Sequence, residues 1–599
     1  MKKNVKNKID HIRHSLAHLL AASVLKKWPD AKLGIGPTIE NGFYYDFLLD
    51  HRFNENDLKY LENEIKKLIN QNLIFKGRKI SVDNAKKLFK NQKFKLELIK
   101  DFVKEKKPLS VYEIINAKTK EILFIDLCRG GHIKNTKEIN PLSFKLSHIA
   151  GAYWKGSEKN PQLQRIYGIA FESEKELNDY LKQLELAEKC DHRYVGQKLE
   201  IFMIDEEIGK GLPILLPNGY KIRKKLEDYI YQLEKNNNYQ HVLTSILAKE
   251  NLYKKSGHLL HYKEDMYAPI EIENEKYYLK PMNCPHHHSI YKTKKRSYKE
   301  LPLRLAEFGH VHRFERSGVL SGLIRVRGFT QNDSHIYMTE NQLKSEIENV
   351  LIMAQKVYKD FDIKDYWYRL SLPNFKNKEK YGDIKNKKIW EKGSNILKKA
   401  LKELGHKFIE AIGEASFYGP KIDIQIKNIY GKEDTIGTVQ VDYYSAKKFD
   451  LYYIDEKGKE QPVVIVHRAI MGSFERFMAF LLEKTCGYLP LWISSVQVKI
   501  LPINDKLISY AEKIKEELKK NNIDVEIDYR NETLSKKIRE AEIMHIPYIV
   551  IVGEKEQKNN SVSIRHPEEY QKKYSNFKNS EMSLENFINK IKLEIIEKK

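Results

Sequence analysis

Residues 304–335, RLAEFGHVHRFERSGVLSGLIRVRGFTQNDSH, concentrate the chemistry of this 599-residue chain. Arg304, Arg313, Arg316, Arg325 and Arg327 sit there among two glutamates and Ser-Gly turns, and the segment closes on Asp333 and His335. Planar guanidinium forks bind phosphate oxygens in pairs, and a carboxylate such as Glu315 suits an attached ribose or purine, so a polyphosphate nucleotide is one reading. A surface hairpin laced with salt bridges is the other. Farther apart, Cys284 in KPMNCPHHH, His335 in QNDSHIY and His467 in VVIVHRAI supply a thiol and two imidazoles. Three such ligands on zinc would leave a position open for substrate. Their spacing matches no local zinc motif, and His286, His287 and His288 compete for the role; histidines satisfied by hydrogen bonds alone are the alternative. Near the N-terminus, His14 and His18 stand four residues apart on one helix face. Asp126, Cys128 and His132 in DLCRGGH follow a strand and span a Gly-Gly turn. His14, His18, Cys128 and His132 read as a structural or hydrolytic zinc site.

These groups need particular elements to hold them. Turn residues between two extended runs predict a long β-hairpin over 304–335, with some of the arginines projecting from its strands onto one surface. HIRHSLAHLLAASVLKKW predicts an amphipathic helix. GEASFYGPK places Tyr418 and Lys421 beside the strand-like KIDIQI, and GTVQVDYY supplies Gln440. GSFERF puts Ser473 and Arg476 at the start of a helix or within one, and a helix there can direct N–H groups and a guanidinium toward phosphate. After residue 490, VQVKILPI, a charged helix at 505–520, VEIDYR, a helix near 534–543 and PYIVIVG alternate as β-α-β-α-β, predicting a small domain with a largely parallel sheet. Three blocks result: 1–190, 191–490 and 491–599.

Length leaves room for about three to five domains at roughly 150 residues each. Hydrophobic residues make up 41% of the chain and mean hydropathy is −0.60, enough for cores in a water-soluble protein. The basic MKKNVKNK start is followed by no apolar core, so no signal peptide is expected, and no run nears the ~18 apolar residues of a membrane helix. Net charge of +24 favours a polyanionic partner, nucleic acid before membrane. An abundance of Lys, Asn, Ile and Tyr, as an AT-rich genome produces, discounts that inference. Four cysteines, Cys128, Cys190, Cys284 and Cys486, do not form a disulfide framework; a reducing cytoplasm is expected, with any special cysteine a ligand or nucleophile.

HRFE, RVRGFTQNDSH and HRAIMGSFERF, in that order, resemble motifs 2 and 3 of class II aminoacyl-tRNA synthetases. With KPMNCP and GEASFYGPK they resemble the threonyl-tRNA synthetases, from about His11 to the C-terminus. The resemblance implies an α+β multidomain protein: a class II antiparallel catalytic sheet at 191–490, an N-terminal α+β editing domain with connecting helix at 1–190, and a C-terminal α/β anticodon-binding domain at 491–599. It implies ligation of L-threonine to tRNA(Thr) through threonyl-adenylate, with Mg²⁺ assisting ATP. Arg313 would hold the α-phosphate, Arg476 the γ-phosphate, and Glu315 and Phe329 the adenine, with Arg325, Lys421 and Ser473 lining the pocket. Arg313, Arg476 and Lys421 would be the catalytic groups. One Zn²⁺ per subunit on Cys284, His335 and His467 would hold threonine, within a pocket of Met282, Gln331, Asp333, Tyr418 and Gln440. HxxxH with CxxxH resembles the family's editing site, where His14, His18, Lys95, Asp126, Cys128 and His132 would clear Ser-tRNA without metal. Asn531, Arg539, Glu556 and Arg565 match anticodon-reading positions. A cytoplasmic homodimer with no membrane contact is implied.

Departures accompany the match. The family's small N-terminal ubiquitin-like domain is expected to be absent. Ser245 stands where motif 1 usually has proline, Thr435 for a glutamine near the ATP ribose, Thr533 for an anticodon-contacting lysine, and Gly131 for the proline of CRGPH; altered affinity with preserved activity is expected. The rival readings are a sister synthetase such as prolyl, a catalytically dead paralogue, and a stand-alone editing hydrolase. They stumble respectively on the Cys/His/His set, on the presence of Arg313 and Arg476, and on the 400-odd residues beyond the first block.

Overall fold

The computed structural model describes residues 2–381, 387–574 and 577–598. The chain divides into two compact units, residues up to Glu185 and residues from Leu186 onward.

In the first unit, helix α1 (Lys2–Lys27) is buried on nearly every side between Ile12 and Val24. The expectation of an amphipathic helix is therefore corrected: Leu16, Ala17, Leu19, Leu20 and Ala21 are all fully buried, because a helix apolar all round belongs inside a core. Strand β1 (Gly42–Leu48) sends Phe43, Tyr45 and Phe47 into that core at its period of two. Helix α2 (Glu55–Asn70) starts at Asn54, which forms a capping box with Asp57. Strand β2 (Leu73–Lys79), helix α3 (Lys93–Lys104), and strands β3 (Ser110–Asn116) and β4 (Ile122–Leu127) follow. β2, β3 and β4 form a three-stranded sheet. β5 (Phe144–Tyr153) and β6 (Gln162–Ala170) join β1 in a separate antiparallel sheet, in the order β1-β6-β5.

The second unit is built on an eight-stranded sheet. Helix α4 (Pro217–Asn236) precedes edge strand β7 (Gln240–His241). Helix α5 (Cys284–Tyr291) leads into the hairpin strands β8 (Leu303–His312) and β9 (Gly328–Met338), paired antiparallel from Leu303↔Tyr337 to His312↔Gly328. Then come helix α6 (Leu343–Asp360), β10 (Tyr366–Leu372), helix α7 (Lys387–Glu403), β11 (Phe408–Ile412), β12 (Lys421–Lys427), β13 (Glu433–Asp442), β14 (Val464–Ala469) and helix α8 (Phe474–Thr485). Spatial order is β7-β8-β9-β14-β13-β12-β10-β11. One face carries Ile336, Val466, Val439 and Ile422 into a core with α6 and α8. The opposite face is left for chemistry. On the core side Arg468 lies 2.7 Å from Glu234, both fully buried, and Asn332 donates to the same carboxylate at 2.7 Å, which compensates the charges.

The C-terminal sheet runs β16 (Val525–Ile527), β15 (Val498–Pro502), β17 (Tyr548–Val552), β18 (Ser561–Arg565), β19 (Ser580–Ser583). The three strands expected from the alternation are parallel; β18 and β19 add an antiparallel edge that the sequence pattern did not announce. Helices α9 (Ile508–Lys520) and α10 (Leu534–Ile543) fall where expected. One cysteine expectation fails: Cys190 and Cys486 are joined by a disulfide with Cα atoms 4.4 Å apart. A sequence separation of 296 left no local spacing by which to foresee the pair. Among the described residues no helix is long and apolar enough to cross a membrane.

Candidate active site and metal centre

Strand register assembles the centre. Side chains at i, i+2 and i+4 share a strand face, so Phe329, Gln331, Asp333 and His335 of β9 point the same way. His335 pairs directly with His467 of β14. His467 pairs with Gln440 of β13, and Gln440 with Lys421 of β12. Four of the expected residues thus form one row across four strands.

Cys284 opens α5, with Pro285 at the helix start where a missing N–H costs nothing. Its sulfur and ring nitrogens of His335 and His467 lie within 4.8 Å of one another, all buried. Burial pushes the Cys284 thiol well up and the His335 imidazole well down, so this bare cluster favours neutral groups and suits a cation that would bind them through lone pairs. His467 Nε2 donates to Asp442 Oδ2 at 2.9 Å, and Asp442 also accepts the backbone N–H of Tyr444 and Ser445. Although burial works to raise it, the hydrogen bond from His467 helps hold Asp442 below the usual carboxylate range. Of the three adjacent histidines, His287 Nδ1 stands 2.9 Å from His335 Nδ1 and His288 Nδ1 meets the Tyr337 hydroxyl at 2.9 Å. None of the three joins the ligand cluster. Among the described residues the cluster is a thiol and two imidazoles, a set that fits zinc with an open position.

Around the cluster, Asp333 accepts from Asn283 Nδ2 at 3.0 Å, and burial raises its pKa. Tyr418 donates to Gln440 Oε1 at 2.7 Å and stacks on His467, centroids 4.8 Å apart. Met282 Sδ lies 3.2 Å from His258 Nε2. His258 itself was missed by the sequence reading. It is buried, 3.9 Å from Cys284 Sγ, and burial brings its pKa to about 3. Asp442 was also missed, although its position two residues beyond Gln440 on a strand put it on the same face.

Beside this centre is a cavity of about 170 Å³ lined by Arg313, Glu315, Arg325, Phe329, Ser473 and Arg476, with Thr435 at its wall. Arg313 lies 5.2 Å from the Phe329 ring centre, Arg325 pairs with Glu315 at 3.0 Å, and Ser473 caps α8 by accepting the Arg476 N–H at 3.2 Å. Burial works against the Arg476 charge, so an anion would be welcome there. Lys421 does not line this cavity; its ammonium pairs with Asp423 at 2.9 Å, and it sits in the row beside Gln440. The arginines also separate. Arg313, Arg316, Arg325 and Arg327 belong to the segment between the strands, and only Arg304 projects from one. It pairs across from Ile336, on the core face, and forks onto Glu346 at 2.7 and 2.8 Å. Arg304 is structural.

In the first unit His14, His18, Cys128 and His132 bring donor atoms within 4.8 Å of one another. Cys128 Sγ lies 3.2 Å from His132 Nε2 and 3.6 Å from His14 Nε2. Lys95 contacts Asp126 at 2.6 Å with both nearly fully buried. Tyr45, another residue missed, donates to Asp126 at 2.5 Å and accepts from Lys95 at 3.0 Å. Burial pushes the Cys128 thiol up to about 11 and lowers His14, His18 and His132; this site holds neutral bases and a thiol. Gly131 has φ +84°, which proline cannot adopt, so the turn itself accounts for the departure from CRGPH.

The four anticodon candidates lie in the C-terminal part. Asn531 and Arg539 are exposed, and Arg565 is exposed at the end of β18. Arg565 meets Glu542 of α10 at 3.1 Å. Glu556 accepts the Gly553 N–H at 2.8 Å, and Thr533 caps α10.

Comparison with known proteins agrees with this geometry. Residues 267–485 match the tRNA synthetase class II core domain (G, H, P, S and T), residues 497–594 the anticodon binding domain, and residues 109–167 the threonyl and alanyl tRNA synthetase second additional domain. A "Threonine--tRNA ligase" of Geobacillus sp. is 44% identical over 590 residues, covering 98% of this chain and 89% of that protein. One of Staphylococcus aureus is 46% identical over 559 residues, covering 93% and 85%. A solved RNA binding domain of threonyl-tRNA synthetase from Cryptosporidium parvum superposes with a TM-score of 0.62 at 34% identity, covering 67% of this chain and 97% of that one.

Proposed function

The chain belongs to the threonyl-tRNA synthetases, class II enzymes that join L-threonine to tRNA with ATP, and from that premise we propose which residues do each part of the work. Threonine's carboxylate attacks the α-phosphate of ATP; threonyl-adenylate forms and pyrophosphate leaves. The step needs placement and charge neutralisation more than proton transfer. Arg313 meets the α-phosphate, Arg476 the γ-phosphate from the first turn of α8, and Glu315 and Phe329 hold the adenine, with Arg325 and Ser473 alongside; Mg²⁺ arriving with ATP would add charge neutralisation. Lys421, in the row with Gln440, serves the junction of the two substrates.

Cys284, His335 and His467 would hold zinc, which supplies a Lewis-acidic position able to take an amine and an alcohol. Asp333 accepts from the threonine hydroxyl, while Met282, Gln331, Tyr418 and Gln440 enclose the rest. An apolar pocket separates valine from threonine by only about 10²-fold; a site that demands the hydroxyl does better. Serine carries that hydroxyl and is smaller, so a second site must remove it. His14, His18, Lys95, Asp126, Cys128 and His132 form this editing site. The rings of His14 and His132 stack 4.0 Å apart at 25°, and burial lowers the pKa of both, which suits water activation by neutral bases in a site that works without metal.

Domains are proposed at 1–190 for editing, 191–490 for catalysis and 491–599 for the anticodon, where Asn531, Arg539, Glu556 and Arg565 read unstacked bases. A homodimer is supported by Leu243 and Leu260, 90% and 78% exposed, in the segment around Ser245. Free thiols at Cys128 and Cys284 favour a cytoplasmic setting; the Cys190–Cys486 bond is the observation against it. The row His335–His467–Gln440–Lys421 is what carries the catalytic reading. ATP–pyrophosphate exchange with threonine, serine, valine and proline in parallel tests it, and exchange driven best by proline, or by none, overturns it.

A further inference from the structure

Behind the proposed ligand His335 lies a chain of polar groups that is buried until it reaches Thr244. His335 Nδ1 is 2.9 Å from His287 Nδ1, and His287 Nε2 is 3.1 Å from Glu307 Oε2. Glu307 Oε1 accepts the Thr244 N–H at 2.8 Å and the Lys280 ammonium at 3.4 Å. Lys280 also donates to the Thr244 hydroxyl at 2.8 Å, so the hydroxyl hydrogen turns to Glu307, 3.0 Å away. Lys280, His287, Glu307 and His335 are each 0–1% exposed.

The protons in this chain can be placed. A carboxylate held by an ammonium only accepts, so His287 must carry its hydrogen on Nε2. With the His287 ring neutral, its Nδ1 is then a lone pair, and the 2.9 Å contact requires His335 to donate from Nδ1. His335 is left with a bare Nε2. We propose that Glu307 and His287 are positioning residues that set the tautomer and ring plane of His335, so that Nε2 is the atom presented to the metal. The proposal rests on the zinc reading given above. His467 is treated in the same way by one carboxylate, Asp442. Partners of this kind raise ligand basicity and preserve ligand orientation. They also tie the metal centre to Thr244, the neighbour of the exposed Leu243.

Two variants test this at nearly constant volume. In Glu307→Gln, the Thr244 N–H and Lys280 keep the amide oxygen at the Oε1 position, which turns the NH₂ toward His287 Nε2. His287 must then take its hydrogen on Nδ1, and His335 its hydrogen on Nε2, where the metal would bind. His287→Phe removes the relay outright, whereas His287→Asn returns an acceptor near the Nδ1 position. Chelator competition on the purified full-length proteins should show zinc held 10–100-fold more weakly in Glu307→Gln and His287→Phe, and within about threefold of wild type in His287→Asn. The cobalt-substituted forms should show a changed visible spectrum in the first two, and KM for threonine should rise more than kcat falls. Should His287→Phe not fold, the isosteric Glu307→Gln decides alone. Wild-type zinc affinity and an unchanged cobalt spectrum in the variants would overturn the proposal. Wild-type protein that binds no zinc would overturn the underlying metal reading instead, and the proposal with it.

Discussion

His335 and His467 are direct cross-strand partners of β9 and β14, their ring centres 4.5 Å apart. The pair exists because of register. A slip of one residue would turn Arg468 to the chemical face and bury His467 among the core side chains, since a one-residue shift reverses every side chain of a strand. Cys284 then needs only the start of one short helix to complete the set.

Cys284→Ser should lose the bound zinc and slow threonine-dependent ATP–pyrophosphate exchange by about 10²–10³-fold, the scale of removing one major transition-state contact. Metal content and exchange are measured on the same preparation. Full zinc and undiminished exchange would refute the ligand assignment.

Arginines of the hairpin segment and of α8 should not all behave alike. Arg313→Ala and Arg476→Ala should each cut kcat of exchange by about 10²–10³-fold with the melting temperature little changed. Arg304→Ala should leave KM for ATP unaltered and cost about 1–3 kcal/mol of stability, because it strands the largely buried Glu346. Equal losses of activity in all three would mean that the facing of Arg304 is misassigned.

Editing should hold its rate in mild acid. Burial lowers the pKa of His14 and takes those of His18 and His132 well down, so the site keeps its neutral bases better in acid than an ordinary histidine, which at pH 6 would have lost roughly three quarters of its base form. Hydrolysis of Ser-tRNA(Thr), corrected for the uncatalysed rate, should therefore be nearly level between pH 6 and 7.5. A fall tracking a pKa near 6.5 contradicts this. The double change His14→Ala, His18→Ala should let Ser-tRNA(Thr) accumulate with threonine activation intact.

Arg539→Ala and Arg565→Ala should act on tRNA alone. Each should raise KM for tRNA(Thr) in aminoacylation, by the ~1–3 kcal/mol of a base-reading contact, and leave exchange without tRNA untouched. An effect on exchange would place them in the activation chemistry instead of the anticodon interface.

Much of the site was legible before any fold was known. Whereas Cys284, His335 and His467 were singled out as the ligand set only by the resemblance to the family's motifs, the arginine-rich hairpin and the helix at 534–543 follow from turn chemistry and periodicity. Local patterns decide such things because period two or 3.6 sets which side chains share a face.

Tertiary structure decided the rest. Arg304 and Arg313 are alike as letters, yet Ile336 opposite Arg304 marks the core face, and only Arg313 reaches the cavity. Tyr45, His258 and Glu307 gain their roles from neighbours far along the chain, as do Cys190 and Cys486. α1 is buried on nearly every side between Ile12 and Val24 because sheet and helices from later residues close over it. The sequence by itself determined which donors exist and how they alternate along each strand; which donor meets which was settled by the register of strands brought together from distant parts of the chain, and no local pattern carries that offset.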